Sequence, residues 1–140
     1  MSKAAVVYWS GTGNTEKMAN SVADGAKGAG VDVSMMSASE FNAPAVDEYD
    51  AVAFGCPAMG AEVLEEGEFQ PMWDDVKEKL GDKKVVLFGS YGWGSGEWMD
   101  SWAEDAKNAG ITLAADPVIA NEEPDDAALS ACEALGAALA

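Results

Sequence analysis

Three short stretches of this chain carry residue types that could do chemistry. The first is Ser10-Gly11-Thr12-Gly13-Asn14-Thr15, six consecutive residues that are small or bear a hydroxyl or amide. Glycines let the backbone approach a ligand and take positive φ. A helix starting just after them adds free N–H groups and a partial positive charge. That combination is a pocket for one phosphate dianion. It is not a Walker loop, because no Lys-Ser/Thr pair follows Gly13, and it lacks the third glycine of the dinucleotide fingerprint, whose place falls on Glu16. Donors without a bound cation suit a lone terminal phosphate. A glycine turn capped by Asn14 or Thr15 would be the purely structural reading, but capping does not require six such residues in a row.

The second stretch is Ser90-Tyr91-Gly92-Trp93-Gly94-Ser95-Gly96, in which two large aromatics stand among glycines and serines. A flat ring in such a loop can stack on another flat ring. The third is Gly55-Cys56-Pro57-Ala58-Met59-Gly60-Ala61-Glu62. Met59 offers a polarisable thioether to an aromatic face. Gly60 offers a carbonyl in a turn with more than one accessible conformation, and Glu62 can accept a hydrogen bond from a ring N–H. Taken together, the three stretches describe a ligand with one phosphate, a spacer and a large planar heterocycle. FMN answers that description.

Composition limits the chemistry further. The 140 residues hold 25 acidic groups against 8 lysines, with no arginine and no histidine, for a net charge of −17. Without histidine there is no Ser-His or Cys-His nucleophile, and without arginine no bidentate phosphate clamp. The negative field repels nucleic acid and steers the chain toward basic partners. Cys56 and Cys132 have no metal-ligand spacing and read as reduced, packed thiols. No apolar run is long enough for a secretion signal or a membrane span, so the expected location is the cytoplasm.

The elements that must position these loops alternate along the chain. Apolar runs at Lys3–Trp9, Val31–Met36, Asp50–Gly55, Lys84–Gly89 and Ile111–Ala120 read as strands, the last broken near Pro117. Helical spacing covers Thr15–Ala29, Gln70–Leu80, a segment from Ser95 or Gly96 to Ala109, and Asp125–Leu139. The segment 37–48 has no clear period. Five strands alternating with helices give a single α/β domain over residues 1–140, a doubly wound five-stranded parallel sheet of order 2-1-3-4-5 with helices on both faces. In such a sheet, ligands bind beyond the C-terminal strand ends, near the switch between strands 1 and 3.

The blocks VYWSGTGNTEKMAN, GCPAMGAEVLEE, LFGSYGWGSGEWMD and NEEPD, in this order, resemble the flavodoxins, of the short-chain type found in anaerobic bacteria. The resemblance covers nearly the whole chain. It implies one non-covalent FMN and a low-potential one-electron carrier, monomeric, working through the semiquinone/hydroquinone couple between redox proteins with basic docking surfaces. It places the phosphate on Ser10, Thr12, Asn14 and Thr15 and on the backbone around Gly11 and Gly13. Met59 and Trp93 would cover the two ring faces, and Glu62 would accept from flavin N3–H. Ser90, Tyr91, Gly92 and Asn121 would approach the rest of the cofactor, with Pro57, Ala58, Ala61 and Gly94 in the same loops. The Gly60 carbonyl is expected to turn toward N5 on one-electron reduction.

Two positions depart from the family pattern. Pro57 stands where a hydroxyl residue could have helped the phosphate. Ala61 stands where Gly, Asp or Asn is usual, and positive φ there costs a non-glycine residue about 1 kcal/mol. That is roughly 45 mV for one electron, from 59 mV per tenfold. Ala61→Gly is therefore expected to raise the first-electron potential by that amount; an unchanged or lower potential would contradict it.

Two other proteins share this strand order. A flavin-dependent NAD(P)H:quinone reductase needs a substrate pocket over the ring. A receiver domain needs acidic residues after strand 1 and an acceptor aspartate after strand 3, where this chain has Trp9-Ser10-Gly11 and Gly55-Cys56-Pro57.

Overall fold

The computed structural model describes residues 3–11, 13–59, 63–92, 94 and 96–140. Its five strands are β1 (Lys3–Tyr8), β2 (Asp32–Ser37), β3 (Ala51–Gly55), β4 (Lys84–Tyr91) and β5 (Val118–Asn121). They pair in the order β2-β1-β3-β4-β5, all in parallel, as the alternation of elements predicts.

Period-two side-chain alternation divides the core into two layers. Ala5, Val7, Val52, Phe54, Val85 and Leu87 point to one face, against α2 (Ala43–Val46), α3 (Phe69–Val76) and α4 (Glu97–Asn108). Ala4, Val6, Ala51, Ala53, Val86 and Phe88 point to the other, against α1 (Asn14–Gly28) and α5 (Asp126–Ala137). Both faces are apolar, which is why the strands read as continuous runs.

The two layers are packed differently. The first is thick and aromatic: Phe54, Trp73, Trp102 and Phe69 meet edge to face, with centroids 5.2 to 5.7 Å apart. The second is built mostly from alanines and valines, and it lets α1 and α5 come very close. A methyl group at Gly136 would lie 1.9 Å from the Val22 carbonyl oxygen, and one at Gly25 would lie 1.9 Å from that of Glu133.

Several boundaries differ from the sequence expectation. β4 runs on to Tyr91, because Ser90 and Tyr91 pair with Ala120 and Asn121; they are strand residues, not loop residues. β5 starts only at Val118. Leu113 touches β4 in one isolated bridge, and Pro117, which has no N–H to donate, stands just before the strand resumes. The α-helix at 69–76 tightens into a 3-10 turn at Lys77–Lys79. In the segment without period, Ser37 and Glu40 form a capping box around a 3-10 turn, and Asn42 Oδ1 accepts the Ala45 N–H at 3.1 Å to open α2.

α3 and α4 are tied by a polar contact at the rim of the aromatic layer. Asp105 accepts from Trp73 Nε1 at 2.7 Å and from Lys77 Nζ at 3.1 Å. Partial burial pushes its carboxyl up, but these two donors outweigh that and hold it below the usual carboxylate range. A carboxylate lowered in the folded state stabilises above its unfolded pKa, near 4, and loses that contribution as pH falls further. Asp105→Asn should therefore lower stability at pH 7 and flatten the acid limb of a denaturation profile below about pH 4. Parallel acid limbs in mutant and parent would contradict this.

Candidate functional site

Because the strands are parallel and in register, the segments after β1, β3, β4 and β5 leave the sheet at one edge. The ladder continues into them. Trp9 N–H donates to Gly55 O at 3.0 Å, Ala58 N–H to Ser90 O at 2.9 Å, and Glu122 N–H to Tyr91 O at 2.6 Å. Between them lies a cleft of about 460 Å³, lined by Trp9, Gly11, Asn14, Pro57, Ala58, Met59, Ser90, Tyr91, Gly92 and Glu122. The volume lies in the range of small-molecule sites.

The end of the cleft near α1 is a donor-rich turn. Gly13 is the N-cap, with φ 94°, a conformation that disfavours any side chain. Ser10 Oγ accepts the N–H groups of Gly13 at 3.1 Å and Glu16 at 3.3 Å. Neither Asn14 nor Thr15 caps the helix. Both lie in its first turn, where backbone N–H groups have no intrahelical acceptor. The Thr15 hydroxyl is buried and hydrogen-bonded to Ser90 Oγ at 2.8 Å, tying the first loop to the end of β4.

The other walls are apolar: Pro57, Ala58 and Met59 on one segment, Tyr91 on another, and the Trp9 ring over the floor of the turn. A methyl group at Gly11 would lie 3.1 Å from the Trp9 ring, so the space between them is kept open by glycine. Cys56, below this wall, is fully buried; desolvation pushes its thiol up to about 12, and the thiol is unreactive at neutral pH.

Eight of the residues expected from sequence thus line the cleft: Gly11, Asn14, Pro57, Ala58, Met59, Ser90, Tyr91 and Gly92. Ser10, Gly13 and Thr15 build the adjoining turn without lining it. Gly94 is exposed and outside the lining. Asn121 pairs with Tyr91 but faces a separate depression beside α5, with Glu123 and Ala128. Thr12, Gly60, Ala61, Glu62 and Trp93 lie outside the described residues.

Two lining residues were not anticipated. Trp9 read as the end of a strand. Glu122 was hidden in a strongly acidic sequence; it is the sole non-glycine among the described residues with positive φ, at 58°. Backbone strain of this kind collects at functional sites.

Fold and cleft together define a doubly wound α/β protein with an open cleft at its topological switch point, where proteins of this architecture bind their ligands. The family model for flavodoxin matches residues 6–136. The chain is 47% identical over 135 residues to a flavodoxin of Megasphaera elsdenii, covering 96% of each chain. It is 47% identical over 122 residues to one of Clostridium beijerinckii, covering 87% of this chain and 88% of that one. The solution structure of two-electron reduced Megasphaera elsdenii flavodoxin superposes with a TM-score of 0.89 over 97% of each chain. The chain belongs to the flavodoxin family. It is therefore an FMN-binding electron-transfer protein that passes electrons to redox partners, not an enzyme.

Proposed function

We propose that the cleft holds FMN with its phosphate in the Ser10–Thr15 turn and its ring against Met59, with Tyr91 alongside, and that the protein works at low potential. The observation that carries this is the convergence, in one cleft, of an uncharged donor turn at the start of α1 and an apolar wall sized for a planar ring. FMN, when bound, supplies one- and two-electron redox chemistry. The chain supplies the rest: the N-terminal turn of α1 favours the dianion, the apolar wall excludes water, and Glu122 sets a negative charge at the rim. Thr12, Gly60, Ala61, Glu62 and Trp93 keep the roles that the family resemblance implies. Adding FMN to the FMN-free protein should quench flavin fluorescence at one equivalent; no quenching would overturn the assignment.

Charge placement supports the low potential and the choice of partner. Lys3, Lys83 and Lys84 lie at the N-terminal strand ends, and Lys27, Lys77, Lys79 and Lys107 lie toward the C-terminal helix ends, all at the pole opposite the cleft. Lys17 alone stands at the cleft end, and it is paired with Glu123. Glu16, Glu65, Glu66, Glu97, Asp100 and Glu122 surround the cleft pole. Such a field directs the cofactor end toward a basic patch on a redox partner, in a weak and transient complex. The working unit is a monomer in the cytoplasm; among the described residues no helix is long and apolar enough to cross a membrane.

The same carboxylates disfavour adding a second negative charge. One carboxylate about 12 Å away, at an effective dielectric near 40, costs about 0.7 kcal/mol, or roughly 30 mV. Glu122→Gln should raise the second-electron potential by at least about that much at low salt and less at high salt. A potential that does not move would remove Glu122 from the account. The reductase alternative is not favoured. No arginine is available for a dinucleotide phosphate, and direct oxidation of NADH or NADPH would be its signature.

A further inference from the structure

The segment that carries Met59 is closed on itself at its base, and the closure is built around two residues outside the cleft lining. Met59 N–H donates to Val63 O at 2.9 Å, and Glu65 N–H donates to Cys56 Sγ at 3.4 Å. Cys56 is held in turn from below: its carbonyl accepts Trp98 Nε1–H at 3.2 Å, and its N–H donates to Phe88 O at 3.2 Å. At the other end, Glu65 is fastened to the start of α3. Its carboxylate accepts the N–H groups of Gly67, Glu68 and Phe69 at 2.7, 2.7 and 2.9 Å, and its carbonyl accepts that of Gln70 at 2.8 Å. The α3 residues Phe69 and Trp73 are fully buried in the aromatic layer, so the helix is a fixed anchor.

We propose that Glu65 is a positioning residue for the cofactor: its main chain latches onto Cys56, below Met59, and its carboxylate ties that latch to α3. The inference rests on the FMN reading. Glu65 is not among the described residues that line the cleft, so its effect on FMN runs through Met59. A carboxylate that satisfies three backbone donors is more than a helix cap requires, since one or two acceptors suffice in a capping box.

The test uses Glu65→Ala and Cys56→Ala, which release opposite ends of the latch. Met72→Ala is the control, because it removes a buried α3 side chain and leaves every hydrogen bond of the latch in place. Amide hydrogen exchange in the FMN-free proteins should speed up at Met59 and Glu65 in both latch variants and not in the control. FMN affinity should fall about fivefold, the scale of one lost hydrogen bond. The first-electron potential should move by about 40 mV, the equivalent of a fivefold change in relative affinity of two redox states. Faster exchange with affinity and potential unchanged would overturn the positioning role, as would unchanged exchange at Glu65. Should Glu65→Ala not fold, Cys56→Ala decides by the same readouts. A parent chain that takes up no FMN would overturn the functional reading, and the two failures are told apart because exchange is read without FMN.

Discussion

Ser10→Ala is expected to weaken FMN binding by about ten- to a hundredfold while leaving riboflavin binding nearly unchanged. Hydrogen bonds to a charged group contribute about 1.5–3 kcal/mol each, which sets that range at 1.4 kcal/mol per tenfold. Ser10 acts in two ways. Its hydroxyl proton can be given to a phosphate oxygen. Its oxygen also holds the Gly13 and Glu16 N–H groups, and so fixes the turn in which we place the phosphate. Riboflavin has the same ring and no phosphate, so it reports on the apolar wall alone. Equal losses for the two ligands would mean that Ser10 supports the cleft generally and that the phosphate sits elsewhere.

The second large effect concerns stability. Gly136→Ala should destabilise the FMN-free protein by about 3 kcal/mol, at the upper end of overpacking costs. For a chain of this size that lowers Tm by roughly 10 °C. The added methyl meets the Val22 carbonyl at 1.9 Å and the Ala26 nitrogen at 2.9 Å, and both are helix backbone that cannot rotate away. The helices must separate, and the alanine-rich layer beneath loses its packing. Gly28→Ala, in the neighbouring helix, meets nothing within 4 Å and should be neutral or slightly stabilising. Measurement without FMN is essential, since a tightly bound ligand adds its own mass-action stabilisation. A loss below 1 kcal/mol at Gly136 would mean that the two helices separate freely.

These two glycines also illustrate what the sequence could and could not tell. Continuous apolar runs located the strands, because a sheet buried on both faces leaves such runs, although the fifth, expected over Ile111–Ala120, spans only Val118–Asn121. They did not separate Gly136, on which the α1–α5 packing depends, from Gly28, which touches nothing. That distinction lives in a helix crossing between residues more than a hundred positions apart. The Ser10–Thr15 turn was legible because the requirement for donors is local. Glu122 was not: one carboxylate among 25 acidic residues has no local mark, and only the backbone at φ 58° and the hydrogen bond to Tyr91 set it apart. The short helix α2 was missed for a related reason. Four residues are too few to show a period, although Asn42 and Pro44 at its start are a legible cap signal. The end of β4 was misplaced because Ser90, Tyr91 and Gly92 look like a turn, whereas pairing with β5 keeps the first two in the sheet.

The central claim is that this chain holds one FMN and moves electrons one at a time. Anaerobic titration of the FMN-loaded protein with dithionite, followed by visible spectroscopy, tests it most directly. The account predicts that a one-electron-reduced form absorbing at long wavelength accumulates near half reduction and disappears as the second electron is added. Passage straight from the oxidised to the two-electron form would contradict it and would point to a hydride-accepting enzyme on the same fold.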